Sequence, residues 1–274
     1  MTNKERIKAV YKILRKIIQY PESIFLVLKD ETEYKKGLLK RYLRTQFPTT
    51  DITQFFVNKK AIVESYTFLD GSSLITDLAL LRSLAKSFDE CDYLEIGTWR
   101  GESIVNVAAN AKQCVSISLS PEDIIARGID EKYAKLQGLL INDQKNIKII
   151  HADSRQFDFA SLQQKFDLIF IDGDHSYEGV KSDTQQVYKL LKDDNSMIVW
   201  HDYGYNPEIP RYSVIAAILD GLPIEAHGNL YHVSNTLCAI YTKKNLKSLI
   251  QESPVTPDKT FSVNIEVSSL DIPS

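Results

Sequence analysis

The sequence predicts an α/β fold built on a doubly wound, mostly parallel sheet, and three observations predict it. Strand-like pieces recur at 92–96, 114–118, 147–151, 166–172 and 197–201, and the apolar run Leu168–Ile171 within the fourth is short enough for a strand buried on both faces. Stretches with helical character separate them, at about 101–111, 121–140 and 177–191. In the last stretch Tyr177, Val180, Thr184, Val187 and Leu191 step by three and four, as one buried helix face requires. Strand–helix alternation of this kind demands parallel pairing with right-handed crossovers. Finally, the polar side chains gather where these runs end, and open α/β sheets bind their ligands outside the carboxyl ends of the strands.

The chain of 274 residues suits one large domain with a small extension. Its 43% hydrophobic and 25% charged residues are those of a globular protein. A formal net charge of −3 argues against a nucleic-acid partner. Cys91, Cys114 and Cys238 lie far apart with no CxxC pair, so buried reduced thiols are expected. The N-terminus is charged from its start, and the longest early apolar run, 24–28, falls far below the roughly 20 residues that span a bilayer. No integral membrane association is expected, and the expected location is cytoplasmic.

Residues 1–70 read as a helical extension, 71–245 as the main domain and 246–274 as a tail. The extension is basic, with twelve Lys/Arg against five Asp/Glu over 1–45. Ile7, Val10, Tyr11, Leu14, Ile17 and Ile18 fall at helical spacing, and a second helix at about 34–47 is stopped by Pro48. A membrane-surface or gating helix is one reading. Because the basic residues are not confined to one face, the expected reading is a solvated helix packed on the main domain or on a second copy in a homodimer. An amphipathic helix at 75–88 leads into the first strand. After Asp202 come a helix at about 213–220 and two apolar stretches, 229–233 and 236–241, separated by Ser234-Asn235, a tight antiparallel hairpin. The polar tail with Pro254, Pro257 and Pro273 is expected to drape over the surface.

Residues 93–103, YLEIGTWRGES, join the first core strand to a helix. Gly97 lets the backbone turn sharply, and Gly101 lets it approach a ligand closely. The spacing is Gly-x-x-x-Gly with Trp99 in the middle, so it is no GxGxxG fingerprint, and no Gly-Lys-Ser/Thr makes a P-loop. Glu95, directly before the loop, would repel a pyrophosphate and suits a ligand that carries an ammonium and a carboxylate together. The third strand ends in Asp153-Ser154, the fourth in Asp172-Gly173-Asp174-His175 and the fifth in His201-Asp202. Adjacent parallel strands lie about 4.8 Å apart, so Asp172 and Asp202 face one cavity if those strands are neighbours. Two carboxylates and the His201 imidazole make a reasonable site for Mg²⁺ or Mn²⁺. Taken singly, Asp172 and Asp174 also fit as helix caps, and His201 as a buried, hydrogen-bonded histidine.

The E-I-G-x-x-x-G loop, the Asp153-Ser154 turn, FDLIFIDGDHSYEGV from Phe166 and MIVWHDYG from Met197 together resemble class I S-adenosylmethionine-dependent methyltransferases. They most resemble the metal-dependent O-methyltransferase-like branch with an I-D-G-x-H-x-Y-x-x-V-x-x-D signature, here running from Ile171 to Asp183. The resemblance covers about 75–243. It implies a Rossmann-like sheet of seven strands ending in the antiparallel hairpin, with S-adenosyl-L-methionine as cofactor. Glu95, Gly97 and Gly101 would surround the methionine part and Asp153 would lie beside the adenine, with Thr98, Trp99, Ser154 and Asp172 among the further cofactor contacts. The family's usual acid at the end of the second strand, which holds the ribose, is here Ser118; Glu122 is a candidate substitute. Asp172, His201 and Asp202 would hold the divalent cation, and Asp174 or, second, His175 would take the proton. The expected reaction is methylation of a small-molecule or sugar hydroxyl. A methyltransferase-fold binding protein without activity is the alternative that Ser118 keeps open. A nicotinamide-dependent dehydrogenase is disfavoured by the missing GxGxxG.

Overall fold

The computed structural model describes residues 3–19, 31–141 and 144–270. In chain order it carries helices α1 (Asn3–Gln19) and α2 (Glu31–Tyr42), the short strand β1 (Thr49–Thr50) and helix α3 (Ile75–Lys86). The core then alternates as β2 (Cys91–Ile96), α4 (Glu102–Ala108), β3 (Ala111–Ser118), β4 (Ile147–His151), β5 (Leu168–Ile171), α7 (Tyr177–Val187) and β6 (Met197–Trp200). Between β3 and β4 the long helical region expected at 121–140 is instead two short helices, α5 (Pro121–Ala126) and α6 (Glu131–Ala134). Gly128, at φ +82°, separates them, because a left-handed residue cannot continue a right-handed helix.

The sheet runs β11-β1-β9-β10-β6-β5-β2-β3-β4, where β9 is Leu230–Val233, β10 is Ala239–Tyr241 and β11 is Ser248–Leu249. From β4 to β6 all pairing is parallel, and β10 pairs antiparallel with both β6 and β9. The seven expected strands are present, and two more make the sheet nine-stranded. β1 pairs parallel to β9 and antiparallel to β11. Each of these added strands is two residues long, too short for any alternation to be legible. The terminal hairpin is as expected in sense but not in its turn: Val233 N donates to Cys238 O, so 234–237 form the connection, with Asn235 at φ +62°. A small hairpin of β7 (Gly204–Asn206) and β8 (Ile209–Pro210), not anticipated, follows β6.

Alternate side chains of the central strands feed two cores. Leu94, Ile96, Ile169, Ile171 and Trp200 meet α7 and α8 (Tyr212–Gly221) on one face; Tyr93, Phe170 and Val199 lie with α3 and α4 on the other. Both faces are covered, which is why β5 and β6 read as unbroken apolar runs. Residues of the presumed extension join in: Leu38, Phe47 and Ile52 are fully buried core residues. The three cysteines are free and buried. Among the described residues no helix is long and apolar enough to cross a membrane.

Chain order and sheet order diverge at the centre, where β2 is flanked by β3 on one side and β5 on the other. That is the point at which an open α/β sheet forms a crevice at its carboxyl edge. Backbone bonds tie the edge together: Gly97 N donates to Ile117 O, Asp172 N to Ile96 O, and His201 N to Ile171 O.

Candidate active site

The loop after β2 fits only as glycine. Gly97 sits at φ +88°, and a Cβ there would lie 2.6 Å from Gly173 Cα and closer still to the Asp172 carbonyl oxygen. The loop and the end of β5 are therefore in direct backbone contact, the close approach that only glycine permits. Gly101, at φ +95°, caps α4.

Glu95 lies beneath this loop, not in its open face. It is fully buried and accepts from Tyr93 Oη (2.7 Å), Thr98 Oγ1 (2.6 Å) and Ser103 Oγ (3.0 Å). Burial pushes its carboxyl up to about 7, although the three hydroxyls oppose this. Glu95 thus shapes the loop instead of lining the cavity. The folded protein then holds a proton that the unfolded chain has lost between about pH 4.5 and 7, so this group's contribution weakens as pH rises through that window. Glu95→Gln is expected to remove on the order of 3 kcal/mol of that pH dependence. Chemical denaturation of both proteins at pH 5 and pH 8 checks it; parallel pH profiles would contradict it.

Above the loop opens a cavity of about 560 Å³. Of the residues expected around a cofactor, Gly97, Thr98, Trp99, Ser118, Asp153, Ser154 and Asp172 line it, and so do Asp174 and His175. Glu95, Gly101 and Glu122 do not. The Ser118 hydroxyl is engaged within the protein, accepting from Gln137 Nε2 (2.8 Å) and donating to Thr98 O (3.2 Å). Asp153 is paired with Arg127 Nη2 at 2.7 Å and Arg155 Nε at 3.5 Å; against its burial, these hold its carboxyl below the usual range.

Several lining residues carry no signal in the sequence. Tyr133 stacks on Trp99 with ring centroids 5.7 Å apart, and Arg100 lies 4.1 Å from the centroid of the same indole on its guanidinium carbon. Asp70 and Gly71 enter the wall from a strap that precedes α3. Arg100 donates to Asp70 O (3.1 Å) and Ser72 Oγ (2.6 Å), and Glu102 accepts from Thr67 N (2.7 Å) and Oγ1 (2.6 Å). Arg127, Ile124 and Ile129 reach the cavity because the chain breaks at Gly128.

At the ends of β5 and β6, Asp172, His175 and Asp202 converge, each offering a ligand atom within 4.8 Å of the others. His175 Nδ1 lies 2.6 Å from Asp202 Oδ2, and Arg211 Nη1 lies 3.0 Å from Asp202 Oδ1. Asp202 occupies the left-handed region at φ +56°. Burial would raise the Asp202 carboxyl, but His175 and His201 hold it far below its usual range; Asp202 in turn raises His175.

His201, the imidazole expected as a cation ligand, is not in this convergent set, although its Nδ1 lies 3.4 Å from Asp202 Oδ2. It is turned inward, with Nε2 3.2 Å from Asp77 Oδ2 and Nδ1 3.1 Å from Asp172 Oδ1. Both ring nitrogens therefore face carboxylates, and the imidazole in the convergent set is that of His175. Burial lowers the His201 pKa, yet Asp172, Asp202 and Asp77 together hold it well above its usual value. Asp77 itself is fully buried in the first turn of α3 and also accepts from Leu74 N and Leu237 N. A carboxylate on the apolar face of a predicted helix is the one signal that could have found it. Asp174 accepts from Ser176 N and Oγ, both at 2.9 Å, beside the start of α7.

Residues 94–203 match the family model of a methyltransferase domain. That methyltransferase-domain match takes in the glycine loop, Asp153, Asp172 to His175 and Asp202, but neither Asp70, Asp77 nor Arg211. An uncharacterized protein of Acanthamoeba polyphaga mimivirus is 29% identical over 148 residues; the match spans 50% of this chain and 66% of that protein. Among solved structures, a candidate caffeoyl-CoA O-methyltransferase from Staphylococcus aureus is 18% identical over 66% of this chain and 86% of that one, with a TM-score of 0.45. A TehB-like SAM-dependent methyltransferase from Corynebacterium glutamicum is 16% identical over 60% and 87%, with a TM-score of 0.39.

Proposed function

We propose that this chain transfers the methyl group of S-adenosylmethionine to a hydroxyl of a small molecule or sugar. The observation that carries the reading is one cavity that runs from the glycine loop to Asp172, Asp174 and His175. A donor laid along Gly97, Thr98 and Trp99 would therefore have carboxylates and an imidazole within the same enclosure. Trp99 and Tyr133 offer an aromatic wall, and Asp153, held by Arg127 and Arg155, offers a fixed acceptor for an exocyclic amine.

Transfer breaks the sulfur–methyl bond and forms an oxygen–methyl bond, while the acceptor's proton passes to a base. The sulfonium loses its charge in this step, so holding the two reactants in line at near-attack distance can supply much of the rate. Asp172, His175 and Asp202 fit a divalent cation: two carboxylates and an imidazole with converging ligand atoms, a set suited to Mg²⁺ or Mn²⁺. A cation bound there would lower the pKa of a coordinated acceptor hydroxyl. His201 and Arg211 would hold the two aspartates in place from behind, and Asp174, half exposed on the cavity wall, would receive the proton.

A second reading is favoured by the Ser118 hydroxyl, already engaged by Gln137 and Thr98: a methyltransferase-fold binding protein without turnover. Calorimetric titration with S-adenosylhomocysteine, with and without Mg²⁺, tests the first reading. A Kd on the order of micromolar is expected. No heat in either condition would overturn it.

A further inference from the structure

Far from the cavity in sequence, α1 carries an apolar stripe that no described residue covers. Ile7, Val10, Tyr11, Leu14 and Ile18 are between 53% and 81% exposed. At 3.6 residues per turn these five fall within about 100° of arc. Arg6 and Arg15 border that arc on either side, Lys8 lies just beyond Arg15 and Lys12 points away; all four are exposed. Of the two coverings expected from the sequence, the main domain or a second copy, the described residues of the main domain do not cover the stripe. A helix with an apolar face flanked on both sides by basic residues has the form of an interfacial helix.

Charge says which surface covers it. Residues 1–19 hold six Lys/Arg against one Glu. Residues 1–45 hold twelve of the chain's 33 Lys/Arg and five of its 36 Asp/Glu, which leaves 21 against 31 for the rest. The basic end and the acidic body are thus separated along the chain. Two copies of α1 packed stripe to stripe would bring like charges together, whereas anionic headgroups would meet Arg6, Lys8 and Arg15 as the stripe enters the acyl boundary. The same surface would repel the acidic body, leaving α1 as the contact. We propose that α1 docks the protein on an anionic lipid bilayer surface, peripherally and reversibly.

Flotation of the full chain with vesicles of phosphatidylcholine, alone or mixed with phosphatidylglycerol, tests this. Binding to the mixed vesicles is expected to be at least tenfold tighter than to the neutral ones. It should fall steeply between about 0.1 M and 1 M salt, where the Debye length shrinks from about 10 Å to 3 Å. Leu14→Glu should cost at least tenfold on mixed vesicles, and Lys8→Glu with Arg15→Glu should abolish the preference for them. Thermal melting confirms that each variant is folded. Equal binding to both compositions, or indifference to Leu14→Glu, overturns the proposal. So does a dimer that Leu14→Glu dissociates in a protein that floats with neither vesicle, since the stripe then belongs to a second copy.

Discussion

Gly97→Ala is expected to weaken S-adenosylhomocysteine binding at least about 100-fold, the equivalent of ~2.7 kcal/mol, and to destabilise the fold. Two costs add. The backbone at φ +88° is one that an L-residue adopts only with strain of roughly 1–2 kcal/mol. The added Cβ also meets backbone, Asp172 O and Gly173 Cα, not a side chain that could swing away. The β2 loop or the end of β5 must then move, and the cavity wall with it. A total of roughly 3–4 kcal/mol corresponds to a Tm lower by roughly 6–15 °C in a domain of this size. Gly128→Ala separates the two costs: its φ of +82° is similar, but no atom lies within 4 Å of its would-be Cβ. It should lower Tm by only a few degrees. Equal losses for both variants in a thermal melt would show that close approach at Gly97 contributes nothing.

Asp202→Asn is expected to lower Mn²⁺ affinity at least about 10–100-fold, the range found when a metal site loses only a partner that orients its ligands, with S-adenosylhomocysteine affinity within about threefold of the parent. Asn is the right probe because it tolerates the left-handed conformation that Asp202 occupies. The change keeps shape and removes the charge on which His175, His201 and Arg211 converge. Asp202 does not line the cavity, so the donor's enclosure should remain. Mn²⁺ titration followed by electron paramagnetic resonance checks the first part and calorimetry the second. Unchanged Mn²⁺ affinity would remove Asp202 from the cation site; a joint collapse of both affinities would point to unfolding, which circular dichroism would reveal.

Much of this was legible before folding was considered. Unbroken apolar runs marked β5 and β6, because strands covered on both faces are apolar throughout; the strand–helix rhythm marked β2 to β4, and the strand ends marked Gly97, Asp153, Asp172 and Asp202. The hairpin of β9 and β10 announced itself by its spacing. The two-residue strands β1 and β11 did not, since two residues have no period and their pairing depends on neighbours distant in the chain. The break at Gly128 was readable in principle, but one glycine inside a helical pattern does not say whether the helix ends.

The site divides along the same line. Residue types and their places at strand ends follow from the sequence by itself: a glycine loop, acids after β4, β5 and β6, and histidines beside them. Which of those groups face the cavity was decided only by tertiary structure. Glu95 turned under the loop because Tyr93, Thr98 and Ser103 offered it three hydroxyls in the core. His201 turned inward because Asp77, carried by a helix 124 residues earlier, holds its Nε2. His175 took the place beside Asp202. A side chain's partner is set by what the fold brings within about 3 Å of it, and no local pattern in the chain records that distance.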